Sequence, residues 1–410
     1  MSAPHSPSSA RSLIWPVTLV AAAVLMMTLG MFRSMGLFVS PINTSTGLGI
    51  AAISFAMAVG QFAWGAIQPV AGAVADKYGP GRVLAIGLIV MALGLAITPW
   101  MKGEFALSFS IGLMMAAGAG AGSFSVLMGA VSQRIPAEQR GMVSGVINAG
   151  GSFGQFVFAP IVQRLIAGIG WMGAMWSLAV ITLMALPLAR YLRGQPKQPA
   201  PASAPAEQTL SSAVRASFKD GSYLLLHAGF FTCGFHIAFL VTHMPGEVQL
   251  CGLPPTVASW SLAIIGLTNI AGSLIVGWGV QNVRSKMILF WMYFSRAALV
   301  AMYLVAPKTE ITFYFFAFGL GATWLATVPP TAAIVGKLFG IRYLSTLFGL
   351  TLLSHQIGGF FGAWLGGIAL NAHGNFQWMW VADMALALAA AFCNLPIREA
   401  RIAKSALQPA

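Results

Sequence analysis

The sequence predicts an all-α membrane protein with twelve transmembrane helices in two pseudo-symmetric six-helix bundles. Composition is the first reason. Of 410 residues, 58% are hydrophobic and only 8% charged, against roughly 25% charged in an ordinary soluble domain. Nine acids and 22 basic residues cannot clothe a 43.1 kDa particle in water, whereas lipid covers apolar surface without cost. The second reason is length: uncharged stretches of about 20 residues, enough to cross a hydrocarbon core of about 30 Å, recur along the whole chain. The third is charge, because the basic residues sit between these stretches and favour alternate connections.

Taken in order, the predicted spans are 13–40, 48–75, 82–101, 105–132, 141–168 and 171–192, then 221–245, 256–281, 287–306, 310–336, 342–370 and 375–396. The first begins near Leu13 and runs to about Ser40, longer than the apolar region of a cleaved signal peptide, and reads as a retained helix. Residues 1–12 form a tail, 13–192 the first bundle, 193–220 a linker, 221–396 the second bundle and 397–410 a second tail. Within the linker, Gly194 to Gln208 is rich in Pro, Ala, Gln and Ser, a composition that favours a flexible connection.

With both termini placed in the cytoplasm, only Lys102, Arg164 and Lys308 fall on the outer side, and Arg33 and Arg296 lie within helices. Every other Lys and Arg falls on the cytoplasmic side, so the net charge of +13 marks topology rather than a nucleic-acid partner. Cys233, Cys251 and Cys393 are too scattered for a disulfide framework or a metal site. The halves also look alike. Gly150-Gly151-Ser152-Phe153-Gly154 on the fifth helix recurs as Gly358-Gly359-Phe360-Phe361-Gly362 on the eleventh, which sets Asn148 opposite Gln356. Phe32-Arg33 precedes Pro41 much as Phe235-His236 precedes Pro245, placing His236 near the position that corresponds to Arg33. Duplication of a six-helix unit is the economical reading.

Between the second and third helices, Gly72-Ala73-Val74-Ala75-Asp76-Lys77-Tyr78-Gly79-Pro80-Gly81-Arg82 resembles the loop signature G-x-x-x-D-[RK]-x-G-[RK]-[RK] of the major facilitator superfamily, with Pro80-Gly81 displacing the final basic pair. The resemblance implies an alternating-access transporter whose first, fourth, seventh and tenth helices line a central cavity. It also implies that Gly72, Asp76, Lys77, Gly79 and Arg82 form a cytoplasmic gating element. Within that superfamily, Arg140-x-x-Val143-Ser144-Gly145-x-x-x-Ala149-Gly150-x-x-x-Gly154 is similar to the fifth-helix signature of monocarboxylate transporters, with Val143 at the alanine position. The stretch from Gly30 to Phe38 is similar to the first helix of bacterial members of that family, which implies a bacterial inner membrane.

An intramembrane charge costs about 2.5 to 3.5 kcal/mol on the insertion scale, so each needs a partner or a job. Arg296 and Asp383, each about midway along the ninth and twelfth spans, suggest an ion pair holding the second bundle together, with proton coupling at Asp383 as the rival reading. Arg33 has no acid within the first six spans. A substrate carboxylate would match its planar fork bidentately; the rival reading is a guanidinium that snorkels to the interface or bonds backbone carbonyls. An unperturbed imidazole can take or lose a proton in the physiological range, so His236 and His355 suit proton coupling, as does Asp383, and a packing role is the bland alternative. His243, nearer the outer end, reads as interfacial. Asn148 and Gln356 can hydrogen-bond substrate or tie helices together. Trp324, close to Pro329-Pro330, is the aromatic most suited to an apolar substrate wall.

No phosphate-cradling loop, metal-ligand spacing or nucleophile motif is present in the sequence, so ATP drive, a cofactor and enzyme chemistry lack support. The leading function is secondary transport of a small organic anion, a monocarboxylate by the resemblance, coupled to protons and carried out by a monomer in the lipid bilayer. The alternative is proton-coupled efflux of hydrophobic or drug-like compounds, and a transporter-like sensor without turnover is a third.

Overall fold

The computed structural model describes residues 7–132, 140–193, 210–340 and 344–399. The expected linker segment Gly194 to Gln208, the loop residues Arg134 and Arg342, and most of the two tails lie outside them. Among the described residues every element is helical. Nine stretches are long and apolar enough to cross a membrane. One of these, Met142–Tyr191, spans 50 residues, length enough for two passes. It turns at Gly170, whose φ of 73° is open to glycine at no steric cost, and the expected fifth and sixth spans met there. With Leu344–His373 and Gln377–Asn394, the arrangement is consistent with twelve passes.

The first helix runs Pro7–Arg33, tightens through a 3₁₀ turn at Met35–Phe38, and continues as Val39–Thr46. The second is Ile50–Tyr78 and the third Pro80–Ile97. The fourth runs in segments from Glu104 to Ser132, with wider π turns at Ser108–Met115. In the second half the passes are Gly221–Leu250, Pro255–Asn282, Ser285–Val305, the segmented Glu310–Thr323 to Val328–Phe339, Leu344–His373 and Gln377–Asn394. The seventh helix does not stop at Pro245 as the sequence suggested. A proline removes only the bond to the carbonyl four residues back, here Val241, and the Gly36 backbone packs directly on that freed oxygen.

The repeated glycines do equivalent work in both halves. Gly150 and Gly154 of the fifth helix lie against the Ala22 and Met26 backbone of the first, and Gly358 and Gly362 of the eleventh lie against Phe231 and Phe235 of the seventh. Without side chains the backbones approach closely enough for dense packing. These contacts also correct the expected register of the repeat. If Met26 corresponds to Phe235, then Thr242, and not His236, stands where Arg33 stands. The proline spacing misled because a proline's place along a helix does not fix which residues share a depth.

Gly362→Leu is expected to lower stability by ~1–3 kcal/mol through overpacking, read as a lower unfolding temperature in detergent, because the new side chain meets Phe235 backbone.

The two bundles meet along three seams. Second and eleventh helices touch at Gly65 with Gln356 and at Ser54 with Gly367. Fifth and eighth are joined where Gln155 Nε2 donates to Leu262 O at 3.0 Å and Asn269 Nδ2 to Ser152 Oγ at 2.7 Å. First and seventh close at the end opposite the chain termini, where Gly36 meets Val241 and Ser40 Oγ donates to Gln249 Oε1 at 2.7 Å. The other end carries Lys77, Arg82, Arg284, Lys337 and Arg398, and is called the basic face below.

Candidate substrate and proton site

Arg33 ends the first segment of its helix, immediately before the 3₁₀ turn. The residue is buried and its Nη1 has no hydrogen-bond partner. Its guanidinium carbon lies 5.9 Å from the Trp324 ring centroid, so a cation of the first bundle faces an aromatic of the second. Among the described residues the ion pairs are His236–Asp383, Lys337–Glu399 and Arg398–Asp220, and none includes Arg33. A cation withdrawn from water without a counter-ion is costly, and its rigid fork of donors fits two carboxylate oxygens.

Trp324 reaches this position because the tenth helix breaks there. Its ψ of −81° leaves the helix, a 3₁₀ turn covers Leu325–Thr327, and Val328–Phe339 restarts with Pro329 in its first turn. The Asn269 amide oxygen accepts from Leu325 N at 2.9 Å inside this break. The break frees two carbonyls, and Arg296 of the ninth helix takes both: Nη2 donates to Thr323 O and, at 2.7 Å, to Trp324 O. Its Nη1 donates to Cys233 Sγ at 3.2 Å, and the group stacks 5.3 Å from the Tyr293 ring centroid. Arg296 thus pins the backbone whose side chain faces Arg33. Arg296→Gln is expected to lower stability by roughly 1–3 kcal/mol, since a buried carbonyl loses its donor; thermal unfolding in detergent checks it.

The expected Arg296–Asp383 pair is therefore not formed. Arg296 finds fixed backbone oxygens in the neighbouring helix break, and Asp383 finds a different partner. His236 Nδ1 donates to Asp383 Oδ2 at 2.5 Å, joining the seventh and twelfth helices. Both residues are buried, and His236 Nε2 and Asp383 Oδ1 have no partners. With Nδ1 committed to the carboxylate, Nε2 is the atom at which the imidazole gains or loses a second proton.

His355 is buried with its ring 5.3 Å from the Phe230 ring, and its Nδ1 lies 3.4 Å from Gln356 Nε2. Gln356 packs its side chain on Gly65 across the bundle seam, with Oε1 unpartnered. Asn148 is not brought to Arg33. It lies two residues beyond Gly150, which abuts Ala22, so it sits about 20 Å along the first helix from Arg33, at 1.5 Å per residue. His243 is not interfacial: it is buried, with Nε2 donating to Ala363 O at 2.7 Å. Sequence reasoning missed Glu247, buried and accepting from the Tyr303 hydroxyl at 2.5 Å. The signal was its spacing of four residues after His243, hidden because the helix was ended at Pro245.

Arg33 thus faces Trp324 across the first and tenth helices, and His236 meets Asp383 across the seventh and twelfth, on a frame built of two glycine-packed bundles. A family profile of known sequences matches residues 18–363. The chain belongs to the Major Facilitator Superfamily. It is 24% identical over 387 residues to "Monocarboxylate transporter 13" of Rattus norvegicus, covering 92% of this chain and 86% of that one. It is also 24% identical to the "Fujikurins efflux protein" of Gibberella fujikuroi, over 76% of this chain and 66% of that relative. The nucleoside transporter NupG has the same fold, with a TM-score of 0.75 at 14% identity, over 93% of this chain and 99% of that structure. This superfamily member is accordingly a multi-pass membrane transporter and not an enzyme.

In this Major Facilitator Superfamily chain the loop motif sits at the basic face. Gly79 carries φ 92° between the second and third helices, a conformation that glycine adopts freely. Lys77 is exposed with Nζ 5.1 Å from the Tyr78 ring centroid, Arg82 is exposed, and Gly72 faces open space. The Asp76 side chain lies outside the described residues. Gly81 packs on Ala189 and Arg193, tying the loop to the end of the sixth helix.

Proposed function

We propose that the protein moves a small organic anion, a monocarboxylate in the first instance, by alternating access coupled to protons. In this reading the basic face and both termini lie in the cytoplasm, as the bias of Lys and Arg requires. The observation that carries it is Arg33: a buried guanidinium with an unpartnered Nη1, no acid paired to it among the described residues, and an aromatic wall beside it. A carboxylate supplies the absent counter-charge, and the Trp324 face accommodates the hydrocarbon part. His236–Asp383 carries the coupled proton, taken at His236 Nε2 and balanced by the Asp383 carboxylate. Gln356 and His355, on the eleventh helix, contribute polar contacts near the seam. The resemblance to a protein named as a monocarboxylate transporter supports the substrate class.

The second reading, proton-coupled efflux of hydrophobic compounds, draws on a small apolar pocket lined by Phe32, Met35, Met57, Ile111 and Met115, and on the efflux-named relative. Counterflow in liposomes separates the two. Labelled pyruvate and lactate should exchange across the membrane, and a lipophilic cation should not; exchange of the cation alone would sink the anion reading.

A further inference from the structure

Glu247 takes no part in the site described above, yet it is a buried carboxyl on the face of the seventh helix that holds His236. Residues 236, 243 and 247 fall within one helical stripe at 3.6 residues per turn. The stripe runs from the centre of the second bundle to the end where first and seventh helices close. Groups facing Glu247 come from every neighbouring element. Tyr303 of the ninth helix donates its hydroxyl at 2.5 Å. Lys308, in the following loop, donates to Tyr303 O and lies 3.7 Å from that ring's centroid. Cys251 and His243 flank it on its own helix. Trp380 of the twelfth helix packs tilted against Tyr303 at 4.6 Å and edge-on against Phe239 at 5.0 Å between ring centroids. Burial lowers the Lys308 ammonium from its ordinary value, with Glu247 opposing. Among the described residues no ion pair includes Glu247.

Trp380 connects this carboxyl to the central pair. It precedes Asp383 by three residues, hence by nearly one turn of the twelfth helix. Its Nε1 is buried and faces the Glu247 carboxyl, while Asp383 Oδ1 and His236 Nε2 are buried without partners. An indole N–H and two unpartnered polar atoms, between one carboxyl and a histidine–carboxylate pair, mark a polar track through otherwise apolar packing.

We propose that Glu247 is a second proton-binding site, the position at the face opposite the basic one where a proton is loaded before it reaches His236–Asp383. The inference rests on the proton-coupled reading above and extends it. The carboxylate gains a proton from bulk solvent when first and seventh helices part near Ser40 and Gln249. It returns to the carboxylate form as that proton passes to His236 Nε2, which becomes imidazolium beside Asp383. Tyr303 holds the carboxyl in place, and its hydroxyl hydrogen is not transferred.

The test uses the full chain in lipid, by infrared difference spectroscopy over a pH step and by pyruvate transport in liposomes. Glu247→Gln keeps an acceptor for Tyr303 and should fold. It should remove one carboxylic C=O component that Asp383→Asn leaves in place. It should also slow uptake driven by a proton gradient about a hundredfold, with pyruvate counterflow in the absence of a gradient within about twofold of the parent. Tyr303→Phe should keep the infrared component and shift its pH midpoint. An unchanged carboxylic signal in Glu247→Gln overturns the proposal, as does a lost signal with undiminished gradient-driven uptake. Failure of the underlying reading looks different: Asp383→Asn would then drive uptake as well as the parent does, or the parent itself would not respond to a proton gradient. If the parent does not carry pyruvate, the infrared component alone decides whether Glu247 binds a proton.

Discussion

Replacing Arg33 with Gln should lower pyruvate and lactate counterflow at least about a hundredfold. The figure follows from the ~3 kcal/mol or more lost when one partner of a buried charge pair is removed. In the proposed function the pair forms only with substrate bound, which gives the variant an unusual signature. Among the described residues Arg33 has no acid partner, so its removal relieves a buried cation without a counter-charge and the substrate-free variant should unfold at no lower temperature than the parent. A structural arginine would behave oppositely, lowering stability along with transport. Arg33→Lys keeps the charge but presents a point charge in place of a planar fork, so affinity should fall while some counterflow survives. The parent should be stabilised against heat by pyruvate through mass action, and Arg33→Gln should not. Normal counterflow in Arg33→Gln would remove the basis for an anionic substrate.

Asp383→Asn should abolish accumulation against a gradient while sparing exchange. The carboxylate is the only described ion-pair partner of His236, at 2.5 Å and fully buried. With an amide in its place, His236 can still be oriented, but an imidazolium would sit uncompensated in an apolar bundle. The proton-carrying form is then disfavoured, and the proton-driven rate should fall about a hundredfold or more. Exchange of labelled for unlabelled pyruvate needs no net proton movement and should persist. His236→Gln should give the same split, because either partner alone is insufficient to carry the proton as a compensated pair. Loss of exchange and accumulation together, with a lower unfolding temperature, would instead make His236–Asp383 a structural tie between the seventh and twelfth helices.

Much of the architecture is legible in the amino-acid sequence alone. Hydrocarbon thickness sets the length of a pass, and the cost of burying charge keeps Lys and Arg out of spans, so composition and spacing disclose helix positions to within a few residues. A glycine alone, Gly170, marks the boundary between the fifth and sixth spans. Pro245 reads as the end of the seventh, but the tertiary structure covers the freed Val241 carbonyl with Gly36 and the helix continues to Leu250. Glu247 therefore falls outside the span that the sequence marks. The glycine repeat predicted matching helix contacts, which the structure contains, but the residue register drawn from Pro41 and Pro245 failed.

Side-chain partnership was the least legible layer. Arg296 and Asp383 look like partners in the sequence because both are charged, midway along their spans and in the same bundle. Yet a broken helix offers carbonyl oxygens that no sequence pattern announces, and Arg296 is satisfied by Thr323 and Trp324 instead. Asp383 pairs instead with the His236 imidazole.

The chain's solvent, its helical passes, its duplicated halves and the presence of a few costly buried charges are consequences of composition and period, and these the sequence determined by itself. Which charge is satisfied and which is left open depends on distances of a few ångströms between helices far apart in the chain. Only tertiary packing decided that Arg296 spends its donors on backbone while Arg33 keeps one free beside Trp324, because hydrogen bonding is short-ranged and directional whereas hydrophobic partition is neither.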